Sequence, residues 1–216
     1  MSVTSRMVVL AACVATLAGG AHAALSAQVL TEDKSHVRTW NEFARGCLAL
    51  HRRQVEDREV RTESRAGGYT GNPEFFREVS YYDSASGHLL SRVQWEQAQP
   101  ERMHAIEVYV RDEQGRVIRD YAAAFLPHYR NAPVQTLINL HNYNGELHSF
   151  RQFDASTDRI YEYCEGTFRG KPVQIRLFED DLAGNDDDIE ALMGSDVYRA
   201  CFDGMPAKAG EYLTPQ

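Results

Sequence analysis

The amino-acid sequence predicts an α+β fold, in which an N-terminal helix packs on a curved antiparallel β-meander and a small helical cap follows. Two observations predict this class. Residues 31–58 place apolar side chains at three- and four-residue intervals, which is the spacing of one helix face. Residues 59–179 alternate β-branched or aromatic runs with turns rich in Asp, Asn and Gly. Because consecutive hairpins give neighbouring antiparallel strands, we expect about eight to ten strands, with a partly open barrel as the alternative arrangement.

The predicted helix carries a single apolar stripe. The stripe consists of Val37, Trp40, Phe43, Ala44, Cys47, Leu48 and His51. Since most helices owe their stability to burial of such a face, we expect this one to dock on the sheet. Cys47 and His51 lie four residues apart, a spacing that also suits two metal ligands or a thiol with its base. We favour the interpretation that both pack in the core.

The predicted strands alternate apolar and polar side chains. One face of a central strand holds Ile106, Val108 and Val110, and the other holds Glu107, Tyr109 and Arg111. One face of the sheet is therefore expected to be dry and to receive the helix, while the other is polar and carries aromatic rings.

The first 23 residues predict where the chain works. A charged start and a short apolar run precede Ala21-His22-Ala23, the cleavage pattern of a secretory signal peptide. The run is too short for a transmembrane span. We predict cleavage near Ala23, a periplasmic or secreted location, and one globular domain over residues 24–216. The alternative is that Leu10-Ala11-Ala12-Cys13 directs a lipid anchor to Cys13.

Cleavage near Ala23 leaves three cysteines, and an oxidising compartment favours one disulfide. Three pairings exist, and the sequence does not distinguish them. We prefer Cys164–Cys201, because it ties a late strand to residues 180–216. Those residues are expected to form an acidic loop, short helices and a loosely held tail. The acidic loop suits helix capping, with a calcium site as the alternative.

Composition and motifs exclude several function classes. The 216-residue chain has a net charge of −8, so it has no electrostatic footprint for nucleic acid. The motifs of dinucleotide and phosphate-loop binding, serine hydrolases, zinc proteases and redox dithiols are absent from the sequence. An enzyme is less expected for that reason, although distant residues can still assemble a site. We predict no cofactor and no resident metal.

Two groups of side chains are candidates for contact with a ligand or partner. The first group lies on a link between strands stiffened by Pro127 and Pro133, and comprises His128, Tyr129, Arg130 and Asn131. A stiff link loses little entropy on binding. The Arg130 guanidinium can donate two hydrogen bonds to one carboxylate or phosphate. The second group flanks the turn at residues 142–145 and comprises His141 and His148, with Tyr109, Arg111 and Arg151 expected beside them on the polar face.

These observations predict a non-catalytic extracytoplasmic module that binds a protein or a small apolar ligand, or assists assembly. A curved sheet with one helix suits an apolar ligand within its cone or a protein at its open edge. One alternative is a periplasmic enzyme that uses His and a carboxylate inside the cone. The other is a structural protein anchored by lipid at Cys13.

Overall fold

The computed structural model describes residues 34–56, 58–127, 131–156, 158–184 and 186–216. The predicted signal peptide with Cys13, and the link residues His128, Tyr129 and Arg130, lie outside the described residues. Within the described part, no helix is long and apolar enough to cross a membrane.

The predicted α+β architecture is confirmed. Helix α1 spans Lys34–Glu56 and is followed by nine strands. The strands are β1 (Val60–Tyr69), β2 (Asn72–Asp83), β3 (Leu89–Glu96), β4 (Met103–Arg111), β5 (Val117–Ala124), β6 (Gln135–Asn144), β7 (Leu147–Phe153), β8 (Arg159–Phe168) and β9 (Lys171–Phe178). Short helices follow at α2 (Glu179–Ala183), α3 (Asp187–Met193) and α4 (Asp196–Phe202), with a 3₁₀ turn at Gly210–Leu213.

The nine strands form one antiparallel meander. Each strand pairs with the next in the order β1 to β9, and β9 does not return to β1, so the sheet is open with β1 and β9 at its edges. Register shifts interrupt five of the pairings. Such bulges bend strands and increase their twist.

Helix α1 lies across β3–β6 and covers one face of the sheet, here called the helix face. Trp40 and Phe43 are buried there, as the stripe predicted, together with Leu50. The strands contribute Val93, Ile106, Val108, Tyr121, Ile138 and Phe153 to this core. Side chains of α1 therefore occupy the space in which an apolar ligand was expected.

A second core lies at the other end of the helix face, where α4 packs on β6 and β7. It contains Leu147, Ile175, Leu177, Tyr198 and Phe202. The disulfide preferred from the sequence, Cys164–Cys201, is present and joins β8 to α4. A bond of this kind is typical of proteins that fold in an oxidising compartment.

The predicted acidic loop is wrong at residues 180–183 and 187–188, which are helical, whereas the expected role of its acidic residues in helix capping is confirmed. Helices α2 and α3 occupy it, and the Asp186 carboxylate accepts hydrogen bonds from the backbone N–H groups of Asp188 and Ile189. Carboxylates are stabilising at helix N-termini, so an acidic run does not oppose these helices. Among the described residues, no three His, Cys, Asp or Glu side chains converge as metal ligands, and the calcium alternative gains no support.

The predicted loose tail is also wrong, since residues 205–216 pack on α1 and on the sheet. Ala209 is fully buried, and Pro215 is buried against Gly46, where a Cβ atom would lie 2.7 Å from the Pro215 Cδ atom. Arg119 on β5 donates a hydrogen bond of 3.0 Å to the backbone oxygen of Gln216. The prediction of a loose tail rested on its two prolines and did not consider Ala209 and Tyr212, which pack against the core.

Candidate functional site

The sheet face opposite α1, here called the open face, holds the candidate site. The strand side chains that build both cores occupy alternate positions on the helix face, and the described helices bring their apolar side chains to that same face. The positions between them carry polar and aromatic side chains. Within the described part, the open face is therefore the side on which a ligand has access.

A chain of hydrogen bonds, here called the polar belt, crosses the open face of β5, β6 and β7. Its members are Asp120, Asn139, His141, His148 and Gln152. Asp120 accepts hydrogen bonds of 2.7 Å from Asn139 Nδ2 and from His141 Nε2. Asn139 Oδ1 accepts from Gln152 Nε2 at 2.9 Å, and His141 Nδ1 lies 3.0 Å from His148 Nε2. Because Asp120 pairs with Asn139 and Asn139 with Gln152 in the strand register, the belt consists of cross-strand neighbours.

The hydrogen bonds of the polar belt indicate which ring nitrogens of His141 and His148 carry a proton. Asp120 Oδ2 accepts a hydrogen bond from His141 Nε2, and with its ring proton there His141 presents Nδ1 as an acceptor to His148 Nε2. Nδ1 of His148 is then an acceptor. Burial, reinforced by His141 and opposed by Glu165, lowers the pKa of His148 below its ordinary value. His148 is therefore neutral at pH 7.

Beside the belt lies a group of four rings, here called the aromatic strip. It consists of Phe150, Tyr161, Tyr163 and Phe178. The ring centroids of Phe150 lie 5.7 Å from Tyr161 and 5.5 Å from Tyr163, and those of Tyr161 and Phe178 are 5.0 Å apart. Phe178 is 59% exposed and is the one exposed large hydrophobic residue of the described chain. The strip thus presents ring surface to solvent at the β9 edge.

Charged groups of both signs lie beside the strip. The Tyr163 hydroxyl donates a 2.6 Å hydrogen bond to Glu165, which raises the pKa of Tyr163, with burial acting in the same direction. Arg176 lies over the same ring, 5.6 Å from its centroid. The Asp181 carboxylate accepts a 2.9 Å hydrogen bond from the backbone N–H of Phe178. Two carboxylates and one guanidinium therefore flank the rings.

The structure brings together the two predicted histidines but places Arg151 elsewhere. Arg151 was expected on the polar face, and this prediction was wrong. Because residues two apart share a face, Arg151 lies with Ser149 on the helix face, opposite to His148. Its Nε atom donates a 2.6 Å hydrogen bond to the fully buried Glu162. Tyr109 is on the open face and donates to Glu107 at 2.6 Å.

The two predicted contact groups form separate sites. Asn131, the described residue of the first group, accepts a hydrogen bond at its backbone oxygen from Asn41 of α1. That contact ties the link to the helix side of the sheet, whereas His141 lies on the open face. Ala132 and Pro133 are buried, so the link is anchored at this end.

Cys47 and His51 belong to the core rather than to a reactive site. Cys47 is a free thiol with no exposed surface, and burial raises its pKa, so it stays protonated. His51 Nδ1 lies 2.8 Å from the Ser91 hydroxyl, and both residues are buried. Burial, with Arg52 acting in the same direction, lowers the pKa of His51.

Two clefts lie away from the belt and the strip. A cleft of about 310 Å³ is lined by Arg77, Trp95, Glu96, Gln97 and Pro100. A larger one of about 440 Å³ lies between the end of α1 and two hairpin turns, where Gln54, Arg58, His88, Arg111 and Asp112 are among its lining residues. Charged groups line both clefts, so neither resembles an apolar ligand pocket.

Sequence reasoning missed Asp120, Asn139, Gln152 and the aromatic strip. Asp120 lies 21 residues before its partner His141, and only the register between β5 and β6 brings them together. The strip could have been predicted from the aromatic side chains at alternate positions of β7–β9, which place the rings on one face. A fold alone does not specify a function, so function has to be argued from this site. A comparison of the chain with protein-family models, with curated proteins and with solved structures finds no match.

Proposed function

We propose that this protein is an extracytoplasmic, non-catalytic binding module that contacts its ligand or partner through the open face of β5–β9. The observation that carries the proposal is the polar belt beside the aromatic strip. The belt fixes five polar side chains by mutual hydrogen bonds, and groups held in place before binding lose little entropy when they bind. The signal-peptide pattern and the Cys164–Cys201 disulfide support an extracytoplasmic location.

The composition of this face supports binding over simple solvation. A solvated sheet face needs polar side chains, but it does not need a Phe that is 59% exposed beside two tyrosines. Exposed rings next to fixed donors and acceptors are what recognition surfaces provide. The core of the protein lies on the other face, so these rings contribute little to its apolar packing.

Site-directed crosslinking tests this proposal. Benzoylphenylalanine, which reacts with any nearby C–H bond, replaces Gln174 on the open face of β9 in cells that export the protein. The control carries it at Arg45 on the exposed side of α1. We expect adducts from position 174 that Tyr161→Ala removes. Equal adducts from both positions would contradict the proposal. The intact mass of the exported chain separates cleavage near Ala23 from lipidation of Cys13.

A second candidate is an enzyme, which the 2.7 Å contact between Asp120 and His141 favours. A carboxylate that orients one imidazole, which in turn orients a second, leaves His148 neutral with Nδ1 available as a general base. Chromogenic ester and glycoside substrates test this candidate. His148→Ala is expected to abolish any turnover that the control His88→Ala retains, and no turnover by the unaltered protein would exclude this candidate for those substrates.

A further inference from the structure

We propose that the aromatic strip binds a neutral glycan chain, with sugar rings lying on Tyr161 and Phe178 and sugar hydroxyls meeting the amides and charged groups around them. This inference rests on the proposed function and names the ligand of the open face.

The chemistry of a sugar matches the composition of the strip. A pyranose carries C–H bonds on its faces, and their positive ends are attracted to the negative face of an aromatic ring. Its hydroxyl rim needs both donors and acceptors. The open face of β7–β9 supplies rings together with Gln152, Glu165, Gln174 and Arg176. At the open-face positions of these described strands there is no Leu, Ile, Val or Met.

The charge of the strip favours a neutral glycan over an acidic one. The strip is flanked by two carboxylates, Glu165 and Asp181, and by one guanidinium, Arg176. An acidic polymer would meet an excess of negative charge there, on a chain whose net charge is −8. A neutral polyhydroxyl chain needs no balancing charge.

The small area of the strip favours a glycan over a folded protein partner. Three strands spaced by about 4.8 Å, each presenting about 17 Å of length, cover only about 250 Å². A stable protein interface takes about 800 Å² from each partner and is anchored by several desolvated side chains. Phe178 is the one exposed large hydrophobic of the described residues, so a protein would gain little apolar burial here. A sugar chain needs only a few ring faces.

The position of the strip suits a polymer. Phe178 lies on the edge strand β9, and Tyr161 is its cross-strand neighbour on β8, with their ring planes inclined by 40°. A chain that lies on these two rings can continue past the sheet edge in one direction and towards Phe150 and Gln152 in the other. A long glycan is therefore accommodated without a closed pocket.

The test is affinity electrophoresis of the full chain in native gels that contain hydroxyethylcellulose, laminarin or galactomannan, together with pelleting on chitin. We expect at least one of these polymers to retain the protein. Tyr161→Ala and Phe178→Ala should each weaken retention about tenfold, while Tyr161→Phe retains it because the ring remains. The matched control is Tyr82→Ala, an open-face tyrosine on β2 outside the strip.

Several outcomes would overturn the glycan proposal. One is that none of the four polymers retains the protein, and another is that Tyr82→Ala weakens retention as much as Tyr161→Ala does. Because Phe178 is exposed, Phe178→Ala provides the comparison if Tyr161→Ala does not fold. Protein adducts from position 174 that depend on Tyr161, without polymer binding, would reject the glycan while the proposed function stands. If adducts from position 174 do not depend on Tyr161 and no polymer binds, both proposals fail.

Discussion

Glu162 on β8 connects three structural elements through its side chain. Its carboxylate has no exposed surface and accepts hydrogen bonds from Arg151 Nε at 2.6 Å, Arg159 Nη1 at 2.9 Å and the Tyr198 hydroxyl at 2.6 Å. Burying a charge is unfavourable by several kcal/mol unless it is paired and hydrogen-bonded. The three donors come from β7, β8 and α4, so the cluster fastens the small helices to the sheet.

We expect Glu162→Gln to lower the free energy of unfolding by about 3–5 kcal/mol, because it leaves the buried Arg151 without its carboxylate partner. Urea unfolding followed by circular dichroism measures this change. The control Glu165→Gln alters an exposed carboxylate on the same strand and should change stability by no more than about 0.5 kcal/mol. Similar losses in both variants would show that burial of Glu162 does not determine its effect.

Two histidines make stability depend on pH. Burial lowers the pKa of His51 and of His148 in the folded protein, while both groups titrate near 6.5 when unfolded. Between that value and the lowered folded pKa, the unfolded chain binds more protons, so acidification favours unfolding. We expect the free energy of unfolding to fall between pH 7 and pH 5.5, and the fall to be smaller in His51→Gln and His148→Gln. An unchanged slope in both variants would rule out this origin.

At the scale of elements, α1 depends on its stripe. Trp40 is 8% exposed and packs in the core that α1 shares with β3–β6. We expect Trp40→Ala to reduce the free energy of unfolding by about 3–5 kcal/mol, through lost burial and the cavity that remains. Thermal and urea unfolding measure the change, with the exposed Arg45→Ala as the control. An unaltered melting temperature would show that the stripe contributes no packing to the fold.

Side-chain alternation marks the strands that bury one face, but it does not mark β1. Alternation identifies β4 because Ile106 and Val108 are buried while Glu107 is not. No such alternation marks β1, whose residues 61–66 are all exposed. As an edge strand beyond the reach of α1, β1 has no dry side. Strand β1 is formed only by backbone hydrogen bonds to β2, and backbone pairing does not require any pattern of polar and apolar side chains.

The candidate site is predictable only where chain neighbours build it. His141 and His148 are seven residues apart and flank one turn, so a hairpin brings them together. The contact between Asp120 and His141 depends on the register of β5 and β6, which a ten-residue link joins. Sequence patterns do not specify that register. Arg151 was assigned to the wrong face although alternation along β7 excludes it. Arg151 follows His148 by three residues on one strand, so their side chains lie on opposite faces.

At the scale of the whole molecule, residues 205–216 lock the first helix. Gly46 of α1 contacts the ring of Pro215. A Cβ atom at position 46 would lie 2.7 Å from Pro215 Cδ and 3.2 Å from Pro215 Cγ. We expect Gly46→Ala to lower the free energy of unfolding by about 1–3 kcal/mol, since the added methyl overpacks this contact. In a Pro215→Ala background the same change should be stabilising by up to about 1 kcal/mol, because Ala favours a helix over Gly.

A double-mutant cycle over Gly46 and Pro215 measures this coupling by urea unfolding. The cycle needs both single variants and the pair. Additive effects would mean that Pro215 and Gly46 do not touch in solution, and the packing of residues 205–216 on α1 would then have to be reconsidered.

The contact between α1 and Pro215 also sets an order of events during biosynthesis. Each strand of the meander can pair with its predecessor as soon as it emerges, since strand neighbours are also chain neighbours. Residues 205–216 cannot cover α1 so early, because Arg53 and its hydrogen-bond partner Pro215 are 162 residues apart along the chain. At ordinary ribosomal speeds this separation amounts to roughly 10–30 s. For that interval α1 lacks the cover that residues 205–216 provide.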